Sequence, residues 1–167
     1  MASQWHSLVS QKLFLARTLL RQLDQPGRIS AANEAELALG REAVLQGATE
    51  LLLRSRSLML IMLARFHQKK TEEPTSLNAL ALLIGEDSSD LSGLRELERR
   101  SGSWWQHLDQ LEVAQSRPPA TRKTVSPENI IAVSANAGPD RSAQALMKSL
   151  EAIKHFADDL EEQHSEW

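Results

Sequence analysis

The chain has 167 residues, is 41% hydrophobic and 25% charged, and carries a net charge of −3 with no cysteine. A chain of this size buries enough surface for one domain without a covalent staple. The missing cysteines exclude disulfides, thiol chemistry and Cys-ligated zinc or iron–sulfur centres.

Six prolines, Pro26, Pro74, Pro118, Pro119, Pro127 and Pro139, punctuate the chain, and none falls inside a stretch with helical apolar spacing. Proline lacks an amide donor and clashes with the preceding turn, so the segments between prolines are where helices can run. The first helix is predicted from Ser3 to Leu23, with Trp5, Val9, Leu13, Ala16, Leu20 and Leu23 recurring on one face. Asp24-Gln-Pro-Gly then stops it.

A second, very long helix is predicted from near Ser30, or from Asn33 as the alternative N-cap, to His67. Leu37, Val44, Leu51 and Leu58 form one apolar line at seven-residue spacing. Ala38, Leu45, Leu52, Met59 and Phe66 form the adjacent line, and Ala48, Ser55 and Met62 flank the first on its other side. A stripe this broad calls for more than one neighbour. At 1.5 Å per residue such a helix reaches about 55 Å against about 30 Å for the first, so later helices or a second copy of the chain must cover the rest. Gly40 and Gly47 interrupt it, each at a cost of roughly 1 kcal/mol against alanine.

Ser76 caps a short helix carrying Leu77, Leu80, Ala81, Leu83 and Ile84, which Gly85 ends. A fourth helix is predicted from Ser89 to Ala114, kinked at Ser101-Gly-Ser. Residues 115–127 read as an exposed linker. The β-branched run at 129–134 reads as a short extended segment, with a short helix capped by Ser126-Pro127-Glu128 as the alternative. The last helix starts at Asp140 or Ser142, shows Leu146, Leu150, Ile153, Ala157 and Leu160 on one face, and frays at an acidic end. The expected fold is all-α: a single-domain bundle of four to five helices with one long central helix.

Charge is uneven. Residues 1–70 hold ten basic and five acidic side chains, residues 71–167 nine and seventeen, so +5 and −8 sum to −3. The two halves are expected to attract each other within the bundle or across a dimer. The greasiest run, Leu58 to Ala64, is far short of the roughly 20 residues a membrane span needs. No signal peptide is expected at Met1-Ala-Ser-Gln-Trp-His, and the expected location is cytoplasmic.

Four features carry possible chemistry. Glu161 and His164 make one Glu-x-x-His pair, but a di-metal bundle site needs two, so an acidic solvated tail is the preferred reading and no metal or cofactor is expected. Arg100 and His107, with six residues between them, resemble the loosest form of the Arg…His motif of HEPN-class ribonucleases. Ser101 and Gly102 depart from that pattern, and a surface ion pair with a flanking histidine is the preferred reading. Arg54, Arg56, Arg65, Lys69 and Lys70 form a basic stretch without an acidic residue, able to meet phosphates but preferred as a solvated face. Trp104 and Trp105 are adjacent and point about 100° apart on a helix, so both can hardly face one core: one is expected in the core and the other at a groove or interface, with simple packing the preferred reading. No nucleophile elbow or phosphate loop supports enzyme activity.

The opening Trp5-His-Ser-Leu-Val-Ser-Gln-Lys-Leu-Phe-Leu-Ala-Arg, together with Glu128-Asn-Ile-Ile-Ala-Val, resembles a family of small uncharacterised bacterial helical proteins. The resemblance implies a helical fold and brings no activity with it. The expectation is a non-enzymatic bundle that binds another macromolecule, as a homodimer or with a protein partner, through Trp104, Trp105, Arg54, Arg65, Lys69 and Lys70. A nucleic-acid-binding or RNA-processing bundle using residues 54–70 is the alternative.

Overall fold

A computed structural model describes residues 3–118 and 138–165. Among them are six helices: α1 Gln4–Leu23, α2 Glu34–Phe66, α3 Leu77–Ile84, α4 Ser89–Arg99, α5 Trp104–Ser116 and α6 Ala143–Ser165. Helix starts follow local chemistry. The side chains of Ser3, Asn33, Ser76 and Ser103 each accept the amide hydrogen three residues on. Each such cap satisfies a donor that the helix leaves free and contributes about 1 kcal/mol. At Asn33 the arrangement is reciprocal, since Glu36 reaches back to the Ala32 amide.

Cross-helix contacts fix the directions. Trp5 lies under Arg65 at one end and Leu19 against Gly47 at the other, so α1 runs antiparallel to α2. Glu161 and Asp158 reach Ser3 and His6, while Glu151 reaches Arg17, so α6 is antiparallel to α1. Arg56 meets Asp109 and Glu112, and Gln115 meets Glu50, which sets α5 antiparallel to α2. These four helices form the bundle, and α3 and α4 lie at the end where α2 and α6 finish. The expected attraction between a basic first half and an acidic second half is present in Arg17–Glu151, Arg56–Asp109 and Arg56–Glu112. Leu13, Leu20, Leu52, Met59, Leu63, Leu94, Leu108, Leu146, Leu150 and Ile153 are among the buried core. Each such side chain contributes about 1.5–3 kcal/mol relative to leaving it in water.

Four expectations need correction. First, the predicted fourth helix is two, α4 and α5. Gly102 takes φ 74°, which a helix cannot contain, and Ser103 restarts the chain by donating to the Leu97 carbonyl and capping α5. Among the described residues the count is therefore six. Second, α2 is capped by Asn33, the alternative, and does not start near Ser30, because the Asn33 side chain accepts from the Glu36 amide. Of its broad stripe, Ala48, Leu52, Ser55, Met59 and Met62 form the core row, and Leu51 and Leu58 pack half-buried against the core. Third, the acidic end of α6 does not fray before Ser165. Glu161 accepts from the Ser3 amide and hydroxyl, and the free donors at the start of α1 supply the reason. Asp158 sits between His6 and Lys154; burial pushes its carboxyl up, but those hydrogen bonds outweigh it and hold it below the usual range. Fourth, Gln115 and Ser116 belong to α5, so the linker begins later than expected. The remainder of that linker from residue 119, the run at 129–134 and Trp167 lie outside the described residues.

Gly47 makes a stability prediction. A Cβ built there would lie 3.3 Å from the Leu19 Cδ1, the free tip of a flexible side chain. Gly47→Ala is therefore expected to stabilise the fold by about 0.5–1 kcal/mol, as the helix-propensity gain exceeds the small adjustment. Urea unfolding midpoints of the two proteins measure it; a loss would mean that Leu19 cannot give way.

Candidate functional site

α2 outruns the bundle. None of its residues before Ala48 is buried; Val44, Leu45 and Gly47 are half-buried against the bundle, and residues 34 to 43 before them form an arm of about 15 Å. The arm is not polar. Leu37 and Val44, seven residues apart, lie on the line of the core row that runs on through Ala48, Leu52 and Ser55, and Leu45 lies beside them. Leu37 is 39% exposed, and Leu39, on the other side of the arm, is 70% exposed. Two contacts steady the arm. Ile29 packs at Gly40, where a Cβ would stand 2.5 Å from its Cγ2. Arg141, just before α6, pairs with Glu42, whose carboxyl is held below its usual range by hydrogen bonds from Arg141 and then Gln46. Neither contact covers Leu37. Phe14 and Leu15 on α1 are also exposed.

The predicted contact residues take other places. Trp104 and Trp105 are both buried, at 7% and 5% exposure. Trp104 packs on Phe156 of α6 and Trp105 beneath the Arg56 guanidinium of α2, 5.0 Å from the ring centre. The first turn of α5 thus has a neighbour on two sides, and 100° between adjacent side chains suits both. The basic stretch is dispersed. Arg56 is buried against α5. Arg65 donates to the Lys69 and Glu72 carbonyls and lies over Trp5, so it holds the chain leaving α2. Arg54 and Lys70 are exposed and Lys69 half-buried.

His107 is held at both ring nitrogens. Nε2 lies 2.7 Å from the Asp140 carbonyl, which only accepts, so Nε2 carries the proton; Nδ1 then accepts from the Ser149 hydroxyl at 2.6 Å. Arg100 is exposed at the end of α4, and no hydrogen bond joins the two among the described residues. His107 thus links α5 to α6 through Ser149, and Arg100 takes no part in that link. His164, read from sequence as part of a solvated tail, instead faces Asp90 and His67.

One cleft of about 220 Å³ opens between Gln46, Glu50, Gln115 and Arg141, and another of about 330 Å³ between Leu20, Asp24, Met147 and Glu151, at the lower edge of the size of an ordinary small-molecule site. No described helix is long and apolar enough to cross a membrane. Comparisons with protein-family models, curated proteins and solved structures found no match.

Proposed function

We propose that the chain acts by binding another protein through the arm of α2, and that the protein bound is a second copy of itself. The observation that carries this reading is the continuation of the core row past the last buried residue. Leu37 continues the apolar face of Val44, Leu45, Leu52 and Met59; Leu45 already packs on the core, whereas no helix of the described chain is laid against Leu37, which stays 39% exposed. Leaving such side chains in water forfeits the burial energy that the rest of α2 gains. The face is self-complementary: Leu37 with Val44, and Ala38 with Leu45, repeat at seven residues, the spacing that two helices use to interlock. A two-fold axis beside the arm then closes the surface of both copies at once. Nucleic acid is the less favoured partner, because Arg56 and Arg65 already serve intramolecular contacts.

Sedimentation equilibrium across a wide concentration range tests the reading. A species of two 18.6 kDa chains is expected. Leu37→Glu combined with Val44→Glu places charge on the face and is expected to give monomer with unchanged helix content by circular dichroism. A wild-type monomer at every concentration overturns it.

A further inference from the structure

We propose that His67, Asp90 and His164 bind one divalent transition-metal ion, zinc being the ion this donor set fits best. The three residues come from separate elements: His67 caps the end of α2, Asp90 lies in the first turn of α4, and His164 in the last turn of α6. His67 Nε2 and His164 Nε2 approach the same oxygen, Asp90 Oδ2, at 2.8 and 2.9 Å. The three ligand atoms all lie within 4.8 Å of one another.

Two of the ligands are held from outside the cluster, and the third is buried. α2 ends in a paired closure, with the Lys69 amide donating to the Ala64 carbonyl and the Gln68 amide to the Arg65 carbonyl. Gln68 takes φ 63° to permit it, a conformation that non-glycine residues rarely adopt, and so His67 is fixed at the turn. The His164 ring lies flat on Phe66, 4.5 Å between centres. The Asp90 side chain is 5% exposed.

The electrostatics favour a cation. Among the described residues Asp90 pairs with no lysine or arginine, only with the two imidazoles. With both rings neutral the cluster carries one buried negative charge, and burying a charge is costly unless it is paired. A divalent ion reverses that balance and gives both imidazoles a lone-pair role. The proton balance closes within the cluster: each ring now donates from Nε2, and on binding the ion each neutral ring carries its proton on Nδ1 instead. Ligand atoms about 2.1 Å from a tetrahedral ion stand ~3.4 Å apart, so the two nitrogens must move off Oδ2 by about half an ångström and toward each other. Rotation of two partly exposed rings is enough.

The donor set narrows the ion. Two imidazoles and a carboxylate suit zinc and its first-row neighbours. Calcium and magnesium require more oxygen ligands, and copper(I) requires sulfur. Three protein ligands leave one position for water, and the rings at 29% and 21% exposure leave solvent access. His67 lies thirty residues along α2 from Leu37, about 45 Å away, so this site does not depend on the arm.

Zinc chloride titrated into untagged, chelator-stripped protein by calorimetry tests the site. One ion per chain is expected. His164→Ala and Asp90→Asn should each weaken the affinity at least tenfold, while His155→Ala, an exposed histidine of the same helix, should leave it unchanged. Because Asp90 is buried, His164→Gln provides a second variant at a position that tolerates change, and circular dichroism confirms each fold. Cobalt(II) should give visible absorption typical of a four-coordinate site, lost in His164→Gln. Absence of one-to-one binding, or binding equal in wild type and His164→Ala, overturns the proposal and leaves a hydrogen-bonded cluster.

Discussion

Trp105→Ala should lower the free energy of unfolding by about 3–5 kcal/mol, among the largest losses open to a single substitution here. The indole is 5% exposed, and it does two jobs at the junction of helices. It touches Trp104, with ring centres 5.5 Å apart, and through it the Phe156 layer of α6. It also forms the floor beneath Arg56 of α2. Truncation leaves a cavity between α5 and α2 that rigid helices cannot fill, and it strips the guanidinium of its aromatic face. Set against a total stability of about 5–15 kcal/mol for a domain, a loss of this size leaves a substantial unfolded population. Trp104→Ala should cost a similar amount through Phe156. Urea unfolding with an unchanged slope measures both. A loss under about 1 kcal/mol for either tryptophan would place that ring at the surface.

The tryptophan pair shows where sequence reasoning stops. The helical period makes Trp104 and Trp105 diverge, and from that alone only one belongs inside. Divergence excludes a shared core only when a helix has one neighbour. The first turn of α5 has α6 on one side and α2 on the other, a fact that depends on the tertiary path of the chain. Boundaries, by contrast, were legible because their causes are local. Ser76 and Gly85 act on backbone groups within a few residues and stand where the pattern placed them, while the cap of α2 is Asn33, the second candidate after Ser30. The split between α4 and α5 was half legible: Ser101-Gly-Ser marked a disturbance, but only the positive φ of Gly102 and the Ser103 cap make it a break. The long stripe of α2 was legible as apolar and broad, but not which of its rows is buried deepest, since at seven-residue spacing several rows fit and the packing partner decides among them.

The cluster of His67, Asp90 and His164 was the least legible feature. Its three members are separated by 23 and 74 residues, and no spacing rule joins a helix cap, a first-turn aspartate and a last-turn histidine. Glu161, the residue that made His164 noticeable, is not part of it and instead anchors the start of α1. The one local hint was His67 directly after the last apolar residue of α2, at a position where a histidine also suits the helix dipole. That ordinary explanation hides the other.

Arg56 gives the second large effect, and its sign depends on how charge and packing divide. The side chain is 10% exposed, yet Asp109 and Glu112 are half exposed at 50% and 55%. Had all three groups been buried, removing the arginine would strand two carboxylates, at a cost of about 3–5 kcal/mol. Here both carboxylates turn to water once freed, and their mutual repulsion across one helical turn is worth only a few tenths of a kcal/mol. What remains is the stem: three methylenes at about 0.8 kcal/mol each, together with a stacked cation worth about 0.5–2 kcal/mol. Arg56→Ala is therefore expected to cost about 3 kcal/mol, mostly by losing cover over Trp105. Arg56→Met keeps most of that cover and buries no charge, so it should recover more than half of the loss. Urea unfolding of the two variants, repeated in high salt, separates the contributions. If methionine costs as much as alanine, and the wild type alone weakens with salt, then the charge pair and not the stem joins α2 to α5. If methionine is close to wild type, the bundle uses arginine at position 56 chiefly as a long apolar lever with a soluble tip.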